Sequence, residues 1–154
     1  MRGAAQTSDL EGLDEALRSA SAPTRELFLK VAERAFRRDS LRQQSSKTAP
    51  ICRLIEVGAW TEAAINVVEF ALPDWTMRRI ACEQGEWLCS LSRQPSVPLA
   101  VDETADASNR VLALAILSAF IEASIRDATT PRAGPSVPLV GSVTGQLICC
   151  DDFA

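Results

Sequence analysis

Histidine and tyrosine are absent from this 154-residue chain. Without an imidazole, Ser-His-Asp and Cys-His catalysis, histidine-ligated zinc and histidine pH sensing are all excluded. Lysine is nearly missing too: only Lys30 and Lys47 stand beside fourteen arginines, a bias better assigned to genome composition than to function. No apolar run reaches the roughly 20 residues that cross a bilayer; the longest, 111–121, is interrupted by Ser118 and reads as a core helix. The opening Met1-Arg2-Gly3-Ala4-Ala5 lacks the apolar stretch of an export signal. The five cysteines (Cys52, Cys82, Cys89, Cys149, Cys150) show no CxxC spacing, so the expectation is reduced thiols in a cytoplasmic protein. There is no phosphate-cradling GxxxxGK[ST] loop either.

What is present is enough apolar residue, 47%, to build a core. The length suits one domain with tails, since domains run to roughly 100–150 residues. The net charge of −4 is unevenly spread: residues 1–50 carry nine bases and seven acids, 51–126 six and ten, and 127–154 one and three. No segment has the strong positive balance of a dedicated nucleic-acid binder.

Leu10, Leu13 and Leu17 behind Ser8-Asp9 predict a short helix over about 9–19. Thr24 is placed to cap a second helix, whose stripe is Leu27, Phe28, Val31, Ala32, Ala35 and Phe36. Residues 39–48 are polar and aperiodic and read as a linker. Pro50 suits a first helical position and Gly58 a helix end; Thr61 is expected to cap the helix 61–72, stopped by Pro73.

The period then changes from 3.6 to 2, predicting a β-hairpin over about 75–82 and 86–92. A three-residue loop Glu83-Gln84-Gly85, with the glycine left-handed, pairs Ala81 with Trp87, Arg79 with Cys89 and Met77 with Leu91. That register puts Trp75, Met77, Ala81, Trp87, Cys89 and Leu91 on one face, and sends Cys82 and Cys89 to opposite faces. After Pro95 and Pro98 a helix is expected over about 108–126, apolar round most of its circumference. It is therefore buried, or shared between this chain and a partner. Asp102, Glu103 and Asp106 are assigned to that helix's N-terminus, where acids favour the dipole, with Mg²⁺ binding as the weaker reading. Two strands alone do not persist in water, so a third is expected from the tail or from a second subunit. Residues 146–150 are a candidate for a short strand.

Several of these segments together resemble a known group. Gly58-Ala59-Trp60-Thr61, Leu72-Pro73-Asp74-Trp75, Arg78-Arg79, the run Gly85-Glu86-Trp87-Leu88-Cys89-Ser90-Leu91-Ser92-Arg93-Gln94-Pro95, Asp102-Glu103-Thr104-Ala105-Asp106-Ala107-Ser108 and Leu114-Ala115-Ile116-Leu117-Ser118-Ala119-Phe120 resemble small uncharacterised proteins of rhizobial (alphaproteobacterial) bacteria. The helix–hairpin–helix order is also similar in pattern to phage α-β-α sandwich domains. Members of the rhizobial group often carry histidine near the positions of Leu88 and Asn109, which this chain does not. The resemblance implies a cytosolic bacterial protein and assigns no catalytic residue.

The expectation is an α+β fold: a β-hairpin (75–82 and 86–92) packed on helices 61–72 and 108–126. It divides into an N-terminal helical segment and linker (1–48), an α-β-β-α core (49–127) and a flexible tail (128–154). With no catalytic constellation, no cofactor and no metal pattern, a non-enzymatic protein-interaction module is expected, working with a protein partner or by self-association as a homodimer. Trp75, Trp87, Leu91 and Phe120 are the candidate interface, if they are not covered within one chain. The alternative is a nucleic-acid-binding regulator using the helix of 24–42 through Arg34, Arg37, Arg38 and Arg42. No aromatic residues interleave with those arginines to stack on bases, and a solvated helix face explains them more simply. Nucleic acid and membrane are therefore not the expected partners. Ser90, Ser92 and Arg93 are a weaker anion-binding candidate, better read as a solvent-facing strand. The vicinal Cys149-Cys150 pair reads as ordinary thiols.

Overall fold

The computed structural model describes residues 2–37 and 44–130. Arg38, Arg42, the proposed tail strand at 146–150 and the Cys149-Cys150 pair lie outside the described residues. Five helices and three strands follow in the order α1 (Arg2–Ser19), α2 (Arg25–Phe36), α3 (Gln44–Glu56), α4 (Trp60–Ala71), β1 (Thr76–Glu83), β2 (Glu86–Ser92), β3 (Thr104–Asn109) and α5 (Leu112–Thr129). The fold is α+β, with N-terminal helices and a three-stranded antiparallel sheet of order β1-β2-β3 packed on α5. No helix among the described residues is long and apolar enough to cross a membrane.

The N-terminal helices follow the apolar periodicity. Leu10 and Leu17 bury one side of α1, and Phe28, Val31, Ala32 and Ala35 bury the stripe of α2. Thr24 Oγ1 accepts from Leu27 N at 3.3 Å, the expected cap. These residues share one hydrophobic cluster with α4, the sheet and α5. The Phe28 ring packs at a tilt against Trp60, with centroids 4.9 Å apart and 53° between the ring planes.

Two helix starts differ from expectation. α3 begins at Gln44, so Pro50 lies inside the helix rather than at its first position, and part of the expected linker is helical. Helix α4 starts at Trp60 behind Ala59, not behind a capping Thr61, and has no side-chain cap. Gly58 does close α3: at φ +75° it lets Ala59 N reach Leu54 O at 2.9 Å and Gly58 N reach Ile55 O at 3.2 Å.

The hairpin register is corrected by one residue near its turn. The loop is Gln84-Gly85 alone, both at positive φ (53° and 84°), which is the type I′ geometry of a two-residue hairpin. Cys82 is therefore opposite Trp87 and Ile80 opposite Cys89. A bulge between Met77 and Arg79 then absorbs one residue and returns Met77 opposite Leu91. Since opposed residues share a face, Cys82 and Ile80 lie on the Trp87–Cys89–Leu91 side, and Ala81 moves to the other.

The third strand comes from 104–109, the stretch expected to open the long helix. Leu91 opposes Ala105 and Cys89 opposes Ala107. Ala105 has no exposure, and alanines on this face let α5 lie close. Helix α5 accordingly starts at Leu112. Its first turn receives no acidic cap; Asn109 Oδ1 instead accepts from Val111 N at 3.0 Å. Residues 113–121 are all buried, because α1, α4, β2 and β3 surround the helix. Its all-round apolarity is consumed within this chain and leaves no half for a partner.

Candidate interaction surface

Of the four candidate interface residues, Trp75, Leu91 and Phe120 are at most 4% exposed and belong to the core; Trp87 alone is partly accessible. Trp75 is further held in place, its Nε1 donating to Asp127 Oδ1 at 3.2 Å while the Arg93 guanidinium sits 5.1 Å from its ring centroid. On α2, Arg34 is half-buried and already engaged, and Arg37 is exposed.

Asp102, Glu103 and Asp106 do not form one cluster. The Asp102 side chain is buried and accepts from Arg78 Nη1, Ser92 Oγ and Gln94 N. Burial pushes its carboxyl up, but the bonds from Ser92, Gln94 and Arg78 outweigh this and hold it below the ordinary value. Arg78 also donates to Val97 O at 3.1 Å. Glu103 faces Arg93 at 3.4 Å, and Arg93 pairs as well with Asp127 at the end of α5. Ser90 and Ser92 are buried rather than solvent-facing, so they offer no anion site. This network ties the far end of β2 to the start of β3 and to α5. It is structural. Among the described residues no group of three or more acidic or sulfur side chains is placed to hold a metal. The Cys89 thiol is pushed up to about 11, first by burial and then by Asp106, and is inert as a nucleophile.

The sheet has two open edges, and main-chain geometry says what each presents. Arg93 N donates to Glu103 O at 3.2 Å. With main-chain direction alternating along a strand, residues 87, 89 and 91 of β2 point to β3, and 86, 88 and 90 point to β1. Their partners on β1 are Glu83, Ala81 and Arg79. Ile80 and Cys82 therefore aim their N–H and C=O groups outward along the β1 edge. On β3 the outward residues are Thr104, Asp106 and Ser108.

The two edges are treated differently. Thr104 O accepts from Arg126 of α5, and Asn109 Nδ2 donates to Leu17 O of α1 at 3.3 Å. Between these ties, a cleft of about 320 Å³ is lined by Asp14 and Arg18 of α1, Asp106, Ala107 and Ser108 of β3, and Ser118 and Glu122 of α5. Among the described residues no such side-chain tie is seen from a helix to the β1 edge: Ile80 is 40% exposed, and Cys82 and Glu83 are exposed beside it. Strand β1 carries neither proline nor lysine; the bulge after Met77 and the charges of Arg79 and Glu83 are its guards, and they leave the main chain of Ile80 and Cys82 between them. The need of a two-stranded hairpin for a third strand from the tail or a second subunit already pointed to the hairpin edges, but the residues named for the interface were the large apolar ones of the core. The signal of the β1 edge was the charged, moderately apolar strand itself.

Compared with protein-family models, curated proteins and solved structures, the chain has no match.

Proposed function

We propose that this chain is a small cytosolic bacterial protein acting as a non-enzymatic protein-interaction module, and that its partner is a second copy docking antiparallel along β1. The observation that carries the reading is the outward main chain of Ile80 and Cys82, beside exposed side chains, on an edge that no described strand pairs with. A two-fold axis beside Ala81 would set Ala81 against the partner's Ala81 and Ile80 against the partner's Cys82. Their outward N–H and C=O groups then exchange hydrogen bonds, as the antiparallel ladder requires. The same register puts Arg79 across from the partner's Glu83. Within one chain these two already pair at 3.0 Å on the sheet face away from α5, so docking exchanges the two exposed pairs, one on each copy, for two crossed ones. Charge complementarity thus favours a copy of this chain over a stranger. The bulge after Met77 limits the paired stretch to 79–83 and makes the dimer a small, reversible one. A reducing cytosol is supported by Cys52, Cys82 and Cys89 standing as free thiols.

Light scattering tests this directly: the expected mass at high protein concentration is twice 16.6 kDa. Ile80→Pro removes an outward N–H that β2 does not use, and should return the mass to that of the monomer with the fold intact. A monomeric wild-type chain at every concentration, or a dimer indifferent to Ile80→Pro, contradicts the reading.

A further inference from the structure

The connector between β2 and β3 is repeated in the tail. Pro95-Ser96-Val97-Pro98-Leu99 recurs letter for letter as Pro135-Ser136-Val137-Pro138-Leu139, and the two copies hold four of the chain's eight prolines. The same spacing carries Thr104, where β3 begins, onto Thr144. In the fold the first copy leads into an added strand. The second leads into 139–150, a stretch without a charge or a proline, in which Val140, Val143, Thr144, Leu147 and Ile148 supply strand-forming side chains. Pro138 and Asp151-Asp152 bracket it. A segment of that composition adheres to a free strand edge that it meets.

The sheet leaves one place for it. The position of Asp102 is Ser142 in the second copy. Asp102 accepts from Arg78, Ser92 Oγ and Gln94 N, and a serine hydroxyl cannot hold all three, so the tail does not take the seat of β3. The outer edge of β3 is tied to α5 and α1 through Arg126 and Asn109. The outward main chain of Ile80 and Cys82 on β1 remains. The tail also starts at the right end of the sheet: Trp75, the residue before β1, donates to Asp127 in the last turn of α5. From Thr130, the thirteen residues to Val143 span about 45 Å when extended. The eight residues of β1 cover about 26 Å, so the whole edge is within reach.

We infer that the segment from Val143 to Cys150 adds as a strand along the β1 edge of its own chain, and so holds the surface through which a second copy docks. The inference rests on the reading of that edge given above and supplies its regulation. The tail and a second copy cannot both use the main chain of Ile80 and Cys82. A tether of this length keeps the tail at an effective concentration of about millimolar order, so at lower protein concentration the tail prevails. Self-docking then follows release of the tail.

The test is amide hydrogen exchange of the full chain, at a concentration where light scattering gives the monomer mass of 16.6 kDa. The Ile80 and Cys82 amides, which β2 does not use, should exchange slowly. Leu147→Asp combined with Ile148→Asp puts a charge on each face of the tail strand. In that variant the two amides should exchange about tenfold faster. The Ala105 and Ala107 amides, which face β2, should be unchanged and report an intact fold. The variant should also reach the dimer mass at roughly tenfold lower protein concentration. Equal exchange at Ile80 and Cys82 in the two chains overturns the inference, as does a dimer that forms at the same concentration in both. So does protection that appears only at the dimer mass, since a second copy then holds the edge. The two readings fail separately. Faster exchange in a variant that stays monomeric at every concentration supports the tail strand and contradicts self-docking. A dimer abolished by Ile80→Pro, with exchange indifferent to the tail charges, does the reverse.

Discussion

The two edges of one small sheet make the most informative comparison in this molecule. β3 is built from the weaker strand sequence, Thr-Ala-Asp-Ala-Ser-Asn, with no large apolar residue. It is the better secured: Arg126 takes its first carbonyl, Asn109 reaches Leu17, and α5 packs across its alanines. β1 has better strand formers in Met77 and Ile80, yet β2 is its main support. Intrinsic preference and actual security therefore run in opposite directions. What keeps β3 in place is tertiary, and what keeps β1 in place is the hairpin turn and the ladder.

The strongest way to break the comparison is to remove what both edges stand on. Phe120 lies buried in the middle of α5. Phe120→Ala should cost about 3–5 kcal/mol through lost burial and a residual cavity. Urea denaturation followed by fluorescence and by far-UV dichroism should show it in one cooperative transition. If the edges were independent units, the two probes would separate.

The next test acts on β1 alone. Gly85 stands at φ +84° with open space around its Cα, so Gly85→Ala meets backbone strain and no clash. A loss of about 1 kcal/mol is expected. Amide exchange should quicken along β1 while the β3 amides stay protected. Equal quickening in both strands would mean that β1 is not the weaker edge.

The smallest effects are electrostatic and have opposite signs at the two sites. Asp102, in the network joining β2 to β3, is held below its unfolded value. Its contribution is present at neutral pH and is lost as pH falls from about 4 through the folded value. Asp14, in the cleft, is held above its unfolded value. The native state therefore keeps that proton longer, and this contribution fades as pH rises from about 4 through the folded value. Melting curves across acid to neutral pH should show Asp102→Asn destabilising at neutral pH, with the difference closing in acid. Asp14→Asn should be neutral or stabilising at neutral pH. The same sign for both would remove the contrast drawn between the two sites.

The helical half was legible because burial and period coincide: the stripe of α2 and the Thr24 cap are both visible in residue spacing. The hairpin was legible through Gly85, but its loop was read one residue too long. Gln84 takes a left-handed φ that a non-glycine rarely adopts. The bulge after Met77 hid the slip, since Met77 still meets Leu91. β3 was not legible: acids and serines ahead of an apolar run look like a helix start, and only packing against α5 makes alanines a strand. The cleft was equally hidden. Asp14, Asp106 and Glu122 are far apart in the chain, and Ser118 looks like a minor interruption of an apolar helix until its hydroxyl is seen to lack a partner.

The central claim, that β1 pairs with itself about Ala81, is tested most directly by a disulfide. In a chain whose Cys52, Cys82, Cys149 and Cys150 are changed to serine, Ala81→Cys sets two thiols face to face. The site is a non-hydrogen-bonded pair, with Cα atoms about 4.5 Å apart. Mild oxidation should give a covalent dimer for Ala81→Cys and none for Glu83→Cys, whose copies lie at opposite ends of the pairing. Failure of Ala81→Cys to cross-link, or equal cross-linking at both positions, would contradict the account.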